Sequence, residues 1–307
     1  MRVLFFGTPA FAVPSLEALL TAGVDVAAVV SQPDRVAARS HSTLVAPPVK
    51  QCAFAAGIPV WQPERPRGED FLADVRALAP DLGLVVAYGH LLRPELLAIP
   101  RLGMVNVHAS LLPRWRGAAP IPWALLASDR ETGVSIMRVE AGLDTGAVWH
   151  RVATPIRDDD TVLTLTSRLA RLGADALIET LPRIARGEQP VPQDDAGATL
   201  APKVDRALAR IRWNESAAAV VGRIRAMDPT PGAWTTFAGQ DVKLFGARVA
   251  GSASAPAGSV ITIQPDLVIA CRESALAVGE VQPAGKRRMP VAEWLHGAPL
   301  GAGAKFT

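Results

Sequence analysis

Apolar and polar positions alternate between two regimes along the first two thirds of the chain. Residues 2–7, "RVLFFG", form a short apolar run closed by glycine, the mark of a strand buried on both faces. "SLEALLTAG" follows with helical spacing and a glycine stop, and "VDVAAVVSQ" is a second apolar strand. The pattern continues with a helix near 47–56, a short strand at Val60 and a helix around 69–79. Strands are predicted near 82–87, 104–108 and 133–139, and a long closing helix over 161–186. Strands alternating with helices, the strands apolar throughout, predict an α/β fold with a Rossmann-like, mostly parallel sheet covered on both faces.

The regime changes near residue 187. "GEQPVPQDDAGATLAPKVDR" is rich in Pro, Asp and Gly without periodicity and reads as a linker. "NESAAAVVGRIRAM" is helical, and then come β-prone runs separated by turn signals: "AWTTF", "DVKLFGARV", "SVITI", "LVIAC" and "ALAVGEV". That spacing predicts a small β-barrel.

Composition changes this picture little, except through the distribution of charge. The chain of 307 residues has a formal net charge of +3, yet residues 201–307 hold 13 Lys/Arg against 8 Asp/Glu. The C-terminal third is therefore the electropositive part, suited to a polyanion or to a solvated basic face. Two cysteines, Cys52 and Cys271, cannot build a disulfide framework, which predicts a reduced, cytoplasmic protein. The opening apolar run stops at Gly7 and is cut by Pro9, Pro14 and Glu17, so it does not read as a secretion signal. No stretch of ~20 apolar residues predicts a membrane helix.

The candidate chemistry lies at 106–146. Asn106 and His108 sit two apart on a strand and so face the same way. Ligands of open α/β sheets collect outside the carboxyl ends of the strands, where this pair is predicted to lie. An isolated N-x-H is most often two satisfied polar groups on a half-buried strand. "GLDTG", 142–146, adds Asp144 in a glycine-bracketed turn after the next strand. Its carboxylate either holds its own loop or aims at His108. Amide, imidazole and carboxylate together suit acyl transfer. The first turn, "GTPAFA", lacks G-x-G-x-x-G, and no G-x-S-x-G, H-E-x-x-H or C-x-x-C is present. A dinucleotide site, a serine nucleophile and a metal are accordingly not expected.

"NVHASLLPRWRGAAP" (106–120) together with "GLDTG" resembles the folate-dependent formyltransferases. "FFGTPAFAVPSLEALL", "SQPDR", "VVAYGHLL", "RIRAMDPTPGAWT" and "VQPAGK" resemble the branch of that family acting on methionyl-tRNA, and they occur in its order along nearly the whole chain. The resemblance implies a formyltransferase catalytic domain over 1–189, a linker over 190–206 and an OB-like, tRNA-binding domain over 207–307. It implies transfer of a formyl group from 10-formyltetrahydrofolate to the methionine amino group of initiator methionyl-tRNA, for translation initiation. Asn106, His108 and Asp144 match the family's catalytic trio. Attack by an amine on a formamide-like carbonyl creates an oxyanion to which Asn106 and a protonated His108 would donate. Loss of one such donor typically costs ~100–1000-fold in rate. Asp144 would hold His108 and help take the proton from the attacking ammonium.

Ser110, Leu111, Leu112 and Pro113 match the folate-binding turn, and Tyr88 and Gly89 are expected to line the pterin pocket. Residues 33–48 form a long loop that in the family enters the tRNA acceptor end, with Arg39 matching a basic residue used there. "SHST" after it replaces a stretch that is commonly Gly/Lys-rich. Ala109 stands where glycine is frequent, Pro122 where glutamine is frequent, and His90 where another side chain is expected. Arg114, Arg116, Arg223, Arg225, Lys286, Arg287 and Arg288 are the expected tRNA contacts, salt-sensitive and not base-specific. No membrane partner is expected, and the protein is expected to be a monomer. The same trio serves enzymes acting on a sugar nucleotide, a purine precursor or water, and a non-enzymatic RNA-binding protein is the reading from a different class. The basic C-terminal region and "QPAGK" favour tRNA.

Overall fold

A computed structural model describes residues 1–36, 44–297, 300–301 and 303–307. The chain divides into two compact units. The first comprises residues 1–117, 132–154 and 166–201, and the second 118–131, 155–165 and 202–307. The stretch read as a linker is thus part of the first unit as far as Ala201.

The α/β half contains β1 (Arg2–Gly7), α1 (Val13–Thr21), β2 (Asp25–Val30), the short hairpin strands β3 (Arg35–Val36) and β4 (Leu44–Val45), α2 (Pro48–Ala55), β5 (Val60–Trp61) and α3 (Glu69–Leu78). Next come β6 (Leu82–Val86), α4 (Pro94–Leu97), β7 (Met104–His108), α5 (Pro120–Leu126), β8 (Glu131–Arg138), β9 (Val148–Pro155) and α6 (Val162–Ala185). Seven strands form one sheet in the order β5-β2-β1-β6-β7-β8-β9. The strands from β5 to β7 are parallel, and β8 runs antiparallel to β7 with His108 opposite Ser135.

The apolar runs explain the sheet. Val3, Leu4, Phe5 and Phe6 are fully buried, as a strand with both faces covered requires. Leu4, Phe6, Ala28, Val30, Val75, Tyr88, Leu96 and Met104 form one core cluster. The order reverses around β1, so the carboxyl ends of β1, β6 and β7 border the position where ligands of such sheets bind. β9 was not predicted. Its burial alternates because it is an edge strand with one face in solvent, and its polar His150 and Arg151 blur the apolar pattern.

The second unit takes in α5 and carries α7 (Ala217–Met227), β10 (Ala233–Phe237), β11 (Gln240–Phe245), β12 (Arg248–Ser252), β13 (Val260–Thr262), β14 (Leu267–Ala270), β15 (Ser274–Val278), β16 (Glu280–Pro283), β17 (Met289–Pro290) and α8 (Val291–Leu295). Its strands make two antiparallel sheets, β10-β11-β16-β17 and β12-β15-β14-β13. "ALAVGEV", a single run in the sequence, changes sheet at Gly279. Lys305 and Phe306 bridge Ser259 and Phe237, linking the two sheets as a small barrel does. Phe306 is buried against Phe237, Trp213 and Trp294. The Ser216 side chain caps the start of α7, accepting from Ala219 N.

Candidate active site

β7 ends at His108, and its alternation puts Asn106 and His108 on one face. Asn106 is half-buried, and among the described residues its amide has no hydrogen-bond partner. His108 is buried and engaged on both sides. Its Nε2 lies 3.0 Å from the Trp115 carbonyl. A carbonyl only accepts, so Nε2 carries a proton. Its Nδ1 faces Asp144 Oδ2 at 3.6 Å. A ring protonated on both nitrogens would meet an acceptor on each side.

Asp144 reaches this position through a tight turn. Gly146 passes so close to the Arg138 carbonyl that a Cβ there would lie 1.9 Å from its oxygen. Asp144 itself adopts a left-handed backbone with φ 51°, a conformation Asp tolerates better than most residues. Its Oδ2 also accepts from Gly117 N at 2.8 Å. Gly117 has φ 124°, and a Cβ there would stand 2.8 Å from the Ala201 carbonyl oxygen. His108 and Asp144 of the trio expected from the sequence are therefore brought together by two turns, 110–117 and 142–146, with Asn106 two residues before His108 on β7.

The turn after β7 is fastened from below. Ser135 Oγ donates to Ser110 O at 2.7 Å and accepts from Leu112 N at 3.0 Å, and Ser110 Oγ donates to Arg114 O at 2.6 Å. Ser110 and Leu112 are buried, so of the expected folate turn the side chains that reach the surface are Leu111 and Pro113. Tyr88 lies in the core, its ring 5.4 Å edge-on from Phe6 and 1% exposed. Burial pushes its phenol up to about 12. The ring expected to line the pocket is thus packed inside the core. Gly89 is exposed beside it, with Gln32 Nε2 and Thr8 Oγ1 both donating to Tyr88 O.

A formyl transferase family model matches residues 1–181, and a formyl transferase C-terminal domain model matches 203–299. The chain is 47% identical to a methionyl-tRNA formyltransferase of Methylococcus capsulatus, over 98% of both chains. It is 45% identical to one from Thiobacillus denitrificans, over 100% of this chain and 99% of the relative. The chain belongs to the methionyl-tRNA formyltransferase family. Solved structures that it resembles share the fold at low identity. A Helicobacter canadensis N-formyltransferase in complex with folinic acid and dTDP-3-aminofucose matches with TM-score 0.70 at 16% identity, over 92% of this chain and 99% of that one. HypX from Aquifex aeolicus, in complex with tetrahydrofolic acid, matches with TM-score 0.64 at 19% identity, over 96% of this chain and 47% of that one.

For a member of this family, the expected tRNA contacts fall into two groups. Arg39 lies outside the described residues. Arg114 is exposed and stacks on the Trp115 ring at 4.5 Å. Lys286 is exposed, and Arg287 is exposed and paired with Glu293. The others are committed inside the protein. Arg116 is buried, donating to Gln193 Oε1 and Asp195 Oδ1. Arg223 is buried and bidentate on Glu215. Arg225 donates to the carbonyls of Asp160 and Arg157. Arg288 joins Asp228 to Glu280 over the Phe245 ring. Where the sequence suggested phosphate contacts at Arg116, Arg223, Arg225 and Arg288, the guanidinium groups already serve internal acceptors.

The groups that sequence reasoning missed are mostly backbone: Trp115 O and Gly117 N, which no residue type announces. The thiols are poor nucleophiles, since burial raises Cys52 and pushes Cys271 up to about 11. Among the described residues no cluster of His, Cys, Asp or Glu could hold a metal ion, and no helix is long and apolar enough to cross a membrane.

Proposed function

We infer that this chain transfers a formyl group from 10-formyltetrahydrofolate to the α-amino group of methionine on initiator methionyl-tRNA. The observation that carries the acceptor is whole-chain identity of 42–47% to proteins named for that reaction. The convergence of Asn106, His108 and Asp144 at one strand end supports the chemistry.

In this reading the acceptor's ammonium loses a proton and its nitrogen attacks the formyl carbon. The carbonyl oxygen gains negative charge, the bond from carbon to the folate nitrogen breaks, and that nitrogen leaves with a proton. Asn106 is the donor ready for the oxyanion, because its amide has no partner among the described residues. For His108 to donate as well, it must give up Trp115 O or Asp144. The His108–Asp144 pair is better placed to hold and move the proton. Asp144 accepts from Gly117 N while facing His108, so its charge is fixed beside the ring.

Leu111, Pro113 and the backbone around Tyr88 and Gly89 are the proposed wall of the folate pocket. Lys286, Arg287 and Arg114 are the proposed tRNA phosphate contacts, and Arg39 is proposed with them on the resemblance alone. The test is acceptor choice. Purified protein with 10-formyltetrahydrofolate is offered methionyl-tRNA or an amino-sugar nucleotide. Formyl-methionyl-tRNA is the expected product, and product only from the sugar nucleotide would overturn the reading.

A further inference from the structure

His108 takes its two partners from two different turns, Trp115 O from one and the Asp144 carboxylate from the other. What fixes these turns relative to each other therefore fixes the reacting histidine. The stretch 191–201 spans both. Val191 exchanges backbone hydrogen bonds with Val148, just after the Asp144 turn. Thr199 and Ala201 bond the other turn: Thr199 Oγ1 accepts from Trp115 N, Thr199 O from Arg116 N, and Ala201 N donates to Arg116 O. Midway between these anchors sits Gln193.

The Gln193 side chain uses all its near-planar hydrogen-bonding capacity on the two turns. Nε2 donates to Asp144 O at 2.8 Å and to Gly146 O at 2.7 Å. Oε1 accepts from Arg116 Nε at 3.0 Å and Nη2 at 2.9 Å. Two donors on one end and a two-lone-pair acceptor on the other is a primary amide's inventory; neither Glu nor Met of similar length supplies it. The carbonyl it holds belongs to Asp144, whose left-handed backbone persists only where the surroundings determine it. The direct Gly117–Asp144 bond runs beside this clamp.

We propose that Gln193 is a positioning residue for formyl transfer, locking the Asp144 turn to the Arg116 turn so that Asp144 stays aimed at His108. The proposal rests on the reading that His108 and Asp144 carry the chemistry. It reaches the reacting atoms only through Asp144. A merely structural role would lower stability and leave the chemistry of the folded enzyme unchanged.

The test compares wild type with Gln193→Met and Gln193→Glu in the full chain. Met keeps the length and removes every hydrogen bond. Glu keeps an acceptor for Arg116, and so the anchor, but turns a carboxylate toward two carbonyls. Folding is checked by circular dichroism, and kcat, KM for folate donor and methionyl-tRNA, and the pH profile of kcat are measured. Displacement of a reacting group by about 1 Å can cost ~100-fold, so both folded variants are expected to lose ~10–100-fold in kcat with KM little changed. The pH profile of kcat is expected to differ from that of wild type, because the His108–Asp144 geometry changes. A folded Gln193→Met with wild-type kcat and pH profile overturns the proposal; if Met prevents folding, Gln193→Glu decides by the same criterion. Failure of the wild type to formylate methionyl-tRNA would instead strike the reading beneath it.

Discussion

Asn106 and His108 leave β7 toward the same face but differ in how much of their hydrogen bonding is already spent. His108 lies 3.0 Å from a carbonyl and 3.6 Å from a carboxylate, while the Asn106 amide has no hydrogen-bond partner among the described residues. Asn106→Ala is therefore expected to lower kcat by ~100–1000-fold, the usual cost of one oxyanion donor. Folding should be unaffected, because no hydrogen bond among the described residues is lost; steady-state kinetics showing less than about a tenfold loss would remove Asn106 from that role. This pair was legible in the sequence, since period-two spacing on a strand puts i and i+2 together. Trp115 O, Gly117 N and Gln193 were not, because two are backbone atoms and the third lies in an aperiodic polar stretch. The same limit applied to arginines: sequence shows a charge, but not that Asp195 occupies Arg116, that Asp228 occupies Arg288, or that the local fold turns Glu215 onto Arg223.

At the scale of elements, the turn between β16 and β17 separates two kinds of basic residue. Arg288 is anchored by Asp228, which is buried, and by Glu280, whereas Lys286 and Arg287 stand out from the turn. Removing the charges of Lys286 and Arg287 to Ala is expected to weaken tRNA binding and to lower the slope of log K against log salt by roughly 2. An unchanged slope in filter binding at several salt concentrations would return the turn to an ordinary solvated surface. The parallel strands and long helices were readable because burial on both faces writes continuous apolar runs. β9 and the break at Gly279 were not, the first because the polar His150 and Arg151 blur its apolar pattern, the second because a sheet change leaves no mark in hydropathy. The stretch 190–201 lacks periodicity because its backbone and Gln193 bind turns instead of burying a face.

For the whole molecule, the trio and the excess of basic side chains fall in different units. The sheet carries the trio at its carboxyl edge, and residues 201–307 carry the excess of basic side chains. Identity to formyltransferases extends across both, so both belong to one family. Neither half alone selects the reaction: the trio serves several acceptors, and a basic barrel serves many polyanions. The central claim is that His108, at the end of β7, drives formyl transfer to methionyl-tRNA. It is tested most directly by following labelled formyl from 10-formyltetrahydrofolate into methionyl-tRNA with wild type and His108→Ala, alongside tRNA binding by each. The account predicts rapid labelling by wild type, none above background by the variant, and nearly equal tRNA affinity. Equal labelling by the two proteins would contradict it.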